Sequence, residues 1–548
     1  MYRLFFLLSI CPNLFCQDLG KILWEDELLT SPVNFDFISS KFKSISNNKV
    51  SGNYSINSYP SGLGYEVLRD ESLFIKGDAD KLFKKFPEFN LSLLVKNNKV
   101  LIENKEIIET NHEFWDISFS DGSAWNEDEN IFLAIPFALI QKHANCTHNG
   151  VLIFSINKSY KASKSIIQIS SETCPYFQFN YVAIFDSNFQ ENEISITEKN
   201  NIINEKRFNE IYKKYPQISK KSFADSDIFN EYEVTAFGFY DGEDHFIGEC
   251  KTRSGNYPFC PNIILPAYSL TKTIAGTLGV AAFENKYGAI NDINITKIIK
   301  SCNDKKWKNV TIENLADMAT GNYKSNVHSL DEDNISSLNF IFNLTTLDEK
   351  EDFACNQYPN KSKPNTKFVY HSSDTFLLGL ALNNLLKERD ENDFFNDLLI
   401  PIFDKKDFSE KIKYIRRTND SARQPYSGWG MFFERNDLIK LNNLIRSKDR
   451  ANFFSDKYIS EALQLTDDKG FIAINSSNIY YNNGLWSAKF SKEIFNCKED
   501  VYVPFMSGFG GITVVFLPNS MLYYYISDNY TFSWYSAVYA AHEIKPIC

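Results

Sequence analysis

The sequence of 548 residues lacks the features that mark several large functional classes. It has no block of basic residues along the chain. Its 58 Lys and Arg against 69 Asp and Glu also give it a formal net charge of −11. A chain without a basic surface has little to neutralise a row of phosphates, so we expect no nucleic-acid partner. Closely spaced Cys and His motifs are also missing, which argues against a zinc site. We therefore expect no metal and no organic cofactor.

Low-complexity segments and long apolar segments are absent as well. Hydrophobic residues make up 43% and charged residues 23% of the chain, as in ordinary globular proteins. A short apolar run at residues 4–11 follows Arg3 and is too short for a stable membrane-spanning helix. Residues 1–16 are typical of a cleaved signal peptide, which predicts an exported protein, periplasmic or extracellular, without a transmembrane span in the mature chain. A lipid anchor at Cys16 is the alternative.

Cysteine is present in a number that fits an exported protein. Of the 10 cysteines, Cys11 and Cys16 lie in the predicted signal peptide, and the other eight form an even set. In an oxidising compartment this predicts up to four disulfides. Among the many pairings that the sequence allows, we expect nearest neighbours to pair: Cys146 with Cys174, Cys250 with Cys260, Cys302 with Cys355, and Cys497 with Cys548.

The first half of the chain is rich in short β-type runs. Residues 20–225 alternate runs of Ile, Val, Phe and Tyr with Asn-, Ser- and Gly-bearing turns, which predicts strands and hairpins. Residues 198–226 are rich in Lys, Asn and Glu, and they predict a surface helix followed by a linker. We divide the chain accordingly into a signal peptide at 1–16, a β-rich N-terminal domain with linker at 17–228, and a second domain at 229–548.

The second half mixes strands and helices. An Asp-Gly turn at 241–242 predicts a hairpin, and apolar residues at helical spacing predict a helix from Ser269 to about Tyr287, ended by Gly288. Further helices are predicted at residues 311–318, 373–387, 435–446, 456–465 and 534–542, and strands at 511–517 and 521–527. Strands at both ends with helices between them predict one sheet built from distant segments, in an α+β fold.

Ser269 and Lys272 are the strongest candidates for chemistry. At the start of the predicted helix they project from the same face, about one turn apart. A Ser hydroxyl needs a base to become nucleophilic, and Lys can be that base when burial or nearby positive charge lowers its pKa. Unpaired backbone N–H groups at a helix N-terminus can also stabilise an oxyanion.

The Ser-x-x-Lys spacing alone is a weak signal. It also occurs at Ser40 with Lys43 and at Ser155 with Lys158. What distinguishes Ser269 is its context: Pro-Ala-Tyr precedes it and an Ala-, Gly- and Leu-rich helix follows it, so the segment is built to be buried.

Five segments, in order over about residues 230–548, resemble the serine β-lactamase and penicillin-binding-protein superfamily, in particular its class C-like branch of β-lactamase-related hydrolases. Residues 266–272, Pro-Ala-Tyr-Ser-Leu-Thr-Lys, are similar to the first motif of that family. Residues 307–321 are similar to its Val-Thr-Ile segment, which ends here in Ala-Thr-Gly. Residues 368–379 contain Tyr-His-Ser and resemble the Tyr-x-Asn/Ser motif. Residues 427–438 resemble its Gly-Gly-helix segment, and residues 505–511 stand where the family carries its Lys-Thr-Gly or His-x-Gly strand.

The resemblance implies a fold and a set of roles. The fold would be a β-lactamase/transpeptidase-like domain, an antiparallel sheet with flanking helices, preceded by the β-rich domain. Ser269 would be the acylated nucleophile, Lys272 its proton acceptor, and Tyr370 the residue that passes a proton to the leaving group. The backbone N–H groups of Ser269 and Phe509 would form the oxyanion hole. The residues implied in substrate binding are Ser372, Met506, Ser507 and Gly508. His371 is expected to point away from Ser269.

One departure from the family pattern bears on the substrate. The family usually has Lys, His or another polar residue where this chain has Met506, and Met cannot bind a substrate carboxylate. We therefore predict an exported serine hydrolase acting on an ester, amide or peptide that lacks a carboxylate at this position. Its partner would be a small-molecule or peptide substrate, with cell-wall fragments among the candidates. Two alternatives stay open: a non-catalytic envelope or peptidoglycan-binding protein with the same fold, and a true β-lactamase or D-alanyl carboxypeptidase.

Overall fold

The computed structural model describes residues 18–43, 47–75, 79–198, 203–224, 234–474 and 477–548. The predicted signal peptide, with Cys11 and Cys16, lies outside the described residues, and so does the predicted boundary at residue 228. Within the described ranges, no helix combines the length and apolar character needed to cross a membrane.

Two sheets dominate the described chain, and their strands pair antiparallel except at one edge of the second sheet. The first sheet has twelve strands among the described residues, in the order β12-β1-β3-β4-β7-β8-β9-β10-β11-β2, with β6 beside β8 and β5 beside β6. Its strands are β1 (Lys49–Ile56), β2 (Ser61–Asp70), β3 (Asn90–Lys96), β4 (Lys99–Ile102), β5 (Ile107–Ile108), β6 (Trp115–Phe119), β7 (Gly122–Glu127), β8 (Asn130–Gln141), β9 (Thr147–Ile156), β10 (Ser165–Thr173), β11 (Phe177–Phe185) and β12 (Ser187–Glu191).

The central strands of the first sheet are buried on both faces. Side chains alternate across a strand, and in β9 Leu152 and Phe154 pack into an aromatic core formed by the first sheet itself. Val151 and Ile153 point the other way, into a core shared with helices of the second half. The continuous apolar run of residues 151–154 thus reflects burial on both faces.

The second sheet has nine strands among the described residues, in the order β13-β15-β14-β25-β24-β23-β22-β21-β20, and two short strand pairs, β16 with β17 and β18 with β19, lie beside it. The strands are β13 (Asn204–Arg207), β14 (Val234–Tyr240), β15 (Asp244–Ile247), β16 (Lys251–Thr252), β17 (Gly255–Asn256), β18 (Leu265–Pro266), β19 (Phe432–Phe433), β20 (Phe471–Ile474), β21 (Ile479–Asn482), β22 (Leu485–Phe490), β23 (Val501–Gly508), β24 (Ile512–Phe516) and β25 (Leu522–Ser527). Strand β14 pairs with β25, so the sheet does join distant ends of the segment.

Helices lie between strands β15 and β20 of the second sheet and in other parts of the chain. They are α1 (Leu19–Trp24), α2 (Phe35–Lys41), α3 (Ala79–Phe83), α4 (Ile211–Lys214), α5 (Leu278–Tyr287), α6 (Ile312–Ala316), α7 (Ile335–Phe342), α8 (Leu347–Asn356), α9 (Ser372–Lys387), α10 (Ile400–Lys405), α11 (Arg435–Arg446), α12 (Asp456–Ala462), α13 (Lys492–Phe495) and α14 (Tyr535–Ile544). With antiparallel sheets and helices together, the structure confirms the predicted α+β class.

The segment at residues 198–226 differs from its prediction. Among the residues of this segment that the structure describes, only α4 is α-helical, and residues 204–207 form β13, which pairs in parallel with β15. The polar composition of β13 reflects its place at an exposed edge of the sheet, and local sequence does not reveal a pairing partner 40 residues away.

All four predicted disulfides are present. They join Cys146 to Cys174, Cys250 to Cys260, Cys302 to Cys355, and Cys497 to Cys548. The last of these ties the C-terminal residue to the loop before β23. Closing such loops restricts the unfolded chain, which typically stabilises a protein by about 2–4 kcal/mol per bridge.

Candidate active site around Ser269

Ser269 lies in a strained turn. A 3₁₀ turn at Tyr268–Leu270 leads into a π-helical segment, Lys272–Thr277, and then into α5. The predicted helix from Ser269 to Tyr287 therefore has the right extent, but its first two turns are not α-helical. Tyr268 has a φ of +43°, a left-handed conformation that is costly for a bulky residue. Its hydroxyl is held in the first sheet, 3.4 Å from the Thr173 carbonyl oxygen.

Lys272 reaches Ser269 and two further oxygens. Its Nζ lies 3.0 Å from Ser269 Oγ, 2.8 Å from Ser372 Oγ and 3.0 Å from the Gly428 carbonyl oxygen. The side chain is 2% exposed, and this burial lowers the pKa of Lys272 to about 8, against the opposing effect of the Glu332 carboxylate. An amine with this pKa is available in its neutral form near neutral pH.

Tyr370 completes the group around Ser269. Its ring centroid lies 4.8 Å from Lys272 Nζ, and Trp486 stacks on its other side with ring centroids 5.6 Å apart. Burial raises the pKa of Tyr370 far above its usual value, and a hydrogen bond with the Ser269 side chain opposes that rise only in part. Tyr370 therefore keeps its proton and can act as a donor.

Glu332 is the residue that the sequence did not single out. One carboxylate oxygen accepts a hydrogen bond from the Ser372 hydroxyl, and the other accepts one from the Ser372 backbone N–H at 2.9 Å. Glu332 lies in an acidic run at residues 331–333, which has the composition of solvated surface. Its position in the site depends on α9 beginning at Ser372 beside it, a contact between residues 40 positions apart.

His371 lies away from the nucleophile, as predicted. Its Nε2 lies 3.1 Å from Asp331 Oδ2, and Tyr358 stacks on the ring at a centroid distance of 4.0 Å. Although burial opposes charging, the carboxylates of Asp331 and Asp374 raise the pKa of His371 to about 9. A cationic His371 paired with these carboxylates is a structural element beside the site.

The end of β23 runs beside the turn that carries Ser269. A Cβ on Gly508 would lie 3.0 Å from Leu270 Cδ1 and 3.2 Å from the Ala267 carbonyl oxygen, so a larger residue at this position would press against the turn that carries Ser269. Next to it, the Phe509 ring lies 5.6 Å from the ring of Tyr268. The backbone after Gly508 is therefore next to the Ser269 turn, where the oxyanion hole is predicted.

Met506 and Ser507 precede this approach on β23. Ser507 is half-buried and lies opposite Thr513 of β24, whereas Met506 is 1% exposed and belongs to the core shared with α5. Met506 therefore supplies apolar packing and offers no exposed surface to a substrate. This placement does not agree with the predicted role of Met506 in substrate binding, because the strand turns its side chain into the core.

The side chains around Ser269 determine which kind of chemistry the site can support. In the ranges that the structure describes, no three or more His, Cys, Asp and Glu side chains cluster so as to hold a metal ion. The groups gathered at Ser269 are instead a hydroxyl, a neutralisable amine, a phenol and a carboxylate. These are the components of nucleophilic acyl transfer.

Comparisons with known proteins add little to this geometry. No family model matches the chain, and no curated protein matches it. Among solved structures, the chain is similar to one described as "Putative 6-aminohexanoate-dimer hydrolase from Bacillus anthracis", with 15% sequence identity and a TM-score of 0.42, covering 58% of this chain and 81% of that chain. A similarity at this level carries no argument about chemistry, which depends here on Ser269 and its neighbours.

Proposed function

We propose that this protein is a serine hydrolase of the β-lactamase-related type, which acts through an acyl-enzyme on Ser269. The observation that carries the proposal is the buried Lys272 amine, with its pKa lowered to about 8, at 3.0 Å from Ser269 Oγ. A base of this pKa at hydrogen-bond distance from a hydroxyl is what nucleophilic catalysis by serine requires.

The proposed reaction has two halves. In the first, Lys272 accepts the Ser269 proton as Oγ attacks the substrate carbonyl carbon, and the backbone N–H groups of Ser269 and Phe509 bind the oxyanion. Tyr370, which is protonated, donates its proton to the leaving group and is reprotonated from Lys272. In the second half a water molecule loses a proton to the same network and attacks the ester carbon, which releases the acid and restores Ser269.

The surroundings of Ser269 favour an uncharged substrate. Where the family usually has a polar residue, this chain has Met506, whose side chain is turned into the core. The Glu332 carboxylate is joined to Lys272 through the Ser372 hydroxyl. Beside the Ser269 turn, the Phe509 ring lies 5.6 Å from the ring of Tyr268 and is 44% exposed. We therefore propose a neutral ester, amide or peptide as substrate.

Labelling by a fluorophosphonate probe tests the proposal. The probe should modify Ser269, identified by mass spectrometry of the labelled peptide, and Ser269→Ala should abolish the modification. Ser155→Ala, which alters a serine in the same spacing to a lysine, is the matched control and should label normally. If the wild-type chain, with its disulfides formed, is not labelled, the enzyme proposal is wrong and a non-catalytic binding protein becomes the better explanation.

Two substrates separate the neutral from the anionic preference. A p-nitrophenyl ester of butyric acid should be hydrolysed with a kcat/KM at least about tenfold above that of the p-nitrophenyl monoester of glutaric acid, whose free carboxylate would face no cation. The reverse order, or efficient hydrolysis of a chromogenic cephalosporin, would instead favour a true β-lactamase or carboxypeptidase.

We also propose that the protein is exported and divides near residue 228 into a β-rich domain and the hydrolase domain. The four disulfides support export, because such bonds persist in oxidising compartments. The mass of the mature chain, after expression with its own N-terminus, should show the loss of residues 1–16. Retention of these residues would contradict the signal-peptide prediction.

A further inference from the structure

We propose that Glu332 is a positioning residue, which fixes the direction of the hydrogen bonds around Lys272 so that the lone pair of the neutral amine faces Ser269. The inference rests on the proposed function and goes beyond it, since Glu332 hydrogen-bonds Ser372 and acts on Lys272 through that residue.

The first step is the single proton of the Ser372 hydroxyl. An ionised carboxylate can only accept hydrogen bonds, so the contact between Ser372 Oγ and Glu332 Oε1 requires the hydroxyl to be the donor. The second bond, from the Ser372 backbone N–H to Glu332 Oε2 at 2.9 Å, keeps the carboxylate in register with that hydroxyl. With its proton committed to Glu332, Ser372 Oγ can only accept from Lys272, 2.8 Å away.

The second step counts the protons of Lys272. The Gly428 carbonyl oxygen, 3.0 Å from Nζ, has no proton and can also only accept. A neutral amine has two N–H bonds and one lone pair. When the two N–H bonds go to Ser372 and Gly428, the lone pair is left for the third neighbour, Ser269 Oγ, at 3.0 Å. Ser269 can then donate its proton in the direction that nucleophilic attack requires.

The third step concerns what happens without the carboxylate. A glutamine in place of Glu332 has an amide that can donate to Ser372 Oγ, which frees the Ser372 proton to point at Lys272. The hydroxyls of Ser372 and Ser269 would then compete for one lone pair. The same change removes a negative charge that favours the ammonium form of Lys272, so the Lys272 pKa should fall.

Several charged or titratable groups surround Glu332 and must be considered in any pH dependence. Those that interact electrostatically with it are Lys272, Asp333, Tyr358, Tyr370, His371 and Asp374. Among these carboxylates Asp333 is the matched control, because it neighbours Glu332 in sequence and does not contribute to the lowered pKa of Lys272.

The experiment measures the rate of Ser269 phosphonylation by the fluorophosphonate probe as a function of pH. Wild type should show a rate that rises to a plateau with a midpoint near 8. In Glu332→Gln the midpoint should move down by about 1 pH unit, as expected for loss of a nearby opposite charge. The plateau rate should fall about tenfold, since one hydrogen-bonded charge no longer orders the amine. Asp333→Asn should keep both values.

Ser372→Ala provides a second variant and separates the two effects. It removes the hydroxyl through which Glu332 acts, so adding Glu332→Gln to it should lower the plateau no further but should still shift the midpoint. If Glu332 only stabilised the fold, each variant would have a lower melting temperature and a lower labelling rate, and the midpoint of the pH profile would not change. If Glu332→Gln does not fold, Ser372→Ala tests whether this contact directs the hydrogen bonds of Lys272. Its plateau rate should fall about tenfold while its melting temperature stays unchanged.

The outcomes distinguish this inference from the proposed function. A labelled wild type whose profile superimposes on that of Glu332→Gln would overturn the role of Glu332 and leave the hydrolase proposal intact. An unlabelled wild type would overturn the hydrolase proposal. In that case the titration of Lys272, followed by lysine-selective ¹³C NMR and assigned with Lys272→Met, still tests Glu332: an unchanged Lys272 pKa in Glu332→Gln would overturn its electrostatic part.

Discussion

The Ser-x-x-Lys spacing gives opposite results in two of the regions where it occurs, at Ser269 and at Ser155. At Ser269 the lysine amine lies 3.0 Å from the serine hydroxyl and is buried. At Ser155 the serine is in β9, fully buried, and its Oγ accepts a hydrogen bond from Trp24 Nε1 at 2.7 Å. Lys158 is exposed and pairs with Glu129 instead.

Backbone geometry explains the difference. In a helical turn, residues three apart lie on one face, whereas in a strand they point to opposite faces. Ser155 lies in β9, whereas Lys158 lies in the turn that follows the strand, where it faces solvent and pairs with Glu129. A spacing acquires chemistry only where the local structure brings the two groups together and burial lowers the pKa of the amine.

The largest expected difference between the two regions concerns the serines. Ser269→Ala should reduce ester hydrolysis by about 10⁴-fold or more, because the nucleophile is lost. Ser155→Ala should keep the activity and lower the free energy of unfolding by about 1 kcal/mol, since the Trp24 donor loses its acceptor. Hydrolysis rates and urea titrations measure the two effects. Residual hydrolysis by Ser269→Ala at the wild-type rate would place the nucleophile elsewhere.

The lysines should differ next most strongly. Lys272→Met keeps a chain of similar length and removes the base, so the hydrolysis rate should fall by about 10² to 10⁴-fold. Lys158→Met changes a solvated side chain and should leave both the rate and the melting temperature unchanged. An equal loss of hydrolysis rate in both variants would show that Lys272 is not the base, and that the net charge or the stability of the protein causes the loss.

The pH profile sharpens the comparison, because burial alone is not enough to identify the base. Protonated Lys272 has no lone pair, so activity should fall about tenfold per pH unit below a midpoint near 8 and level off above it. Lys350 is also buried, and burial lowers its pKa to about 7. Its Nζ lies over the rings of Phe340 and Tyr426, each at 4.5 Å.

Lys350→Met is therefore the control for the assignment of the midpoint. The Lys350 amine donates a hydrogen bond to the Phe340 carbonyl oxygen and lies over aromatic rings, whereas the Lys272 amine lies beside the Ser269 hydroxyl. The variant should keep the midpoint near 8 whatever it does to the absolute rate. If the midpoint moves in Lys350→Met and stays in Glu332→Gln, the group that titrates near pH 8 is Lys350 and not Lys272.

The parts that the sequence predicted depend on local pattern. Helices α9 and α11 and strands β24 and β25 each begin within one residue of their predicted starts. The nearest-neighbour disulfides are correct, and three of them join cysteines that lie within one core, as Cys146 and Cys174 do. The pair Ser269 and Lys272 was distinguished by its apolar flanks, which the structure shows to be buried.

What the sequence did not predict depends on contacts between distant segments. Glu332 enters the site because α9 begins beside it, and Tyr268, which has a left-handed conformation, places its hydroxyl 3.4 Å from the Thr173 carbonyl oxygen of the first sheet. Neither contact leaves a periodic signal, since one is an acidic residue in an acidic run and the other a tyrosine in an apolar segment. The β13 pairing was missed for the same reason.

The smallest expected effect concerns the two tyrosines beside the compared motifs. Both Tyr268 and Tyr160 have positive φ, +43° and +56°, but only Tyr268 is anchored, with its hydroxyl near Thr173 and Cys146 of the first sheet. Tyr268→Phe should lower the free energy of unfolding by about 1 kcal/mol.

The same variant should slow Ser269 labelling by a small factor, because the turn that carries the nucleophile loses its hold on the first sheet. Tyr160→Phe, in a solvent-exposed turn after Lys158, should change neither value. Equal behaviour of the two variants would mean that the backbone around Tyr268 keeps its strain without help from the first sheet. The nucleophile turn would then be a property of the second half of the chain alone, and the contact at Thr173 would be incidental to it.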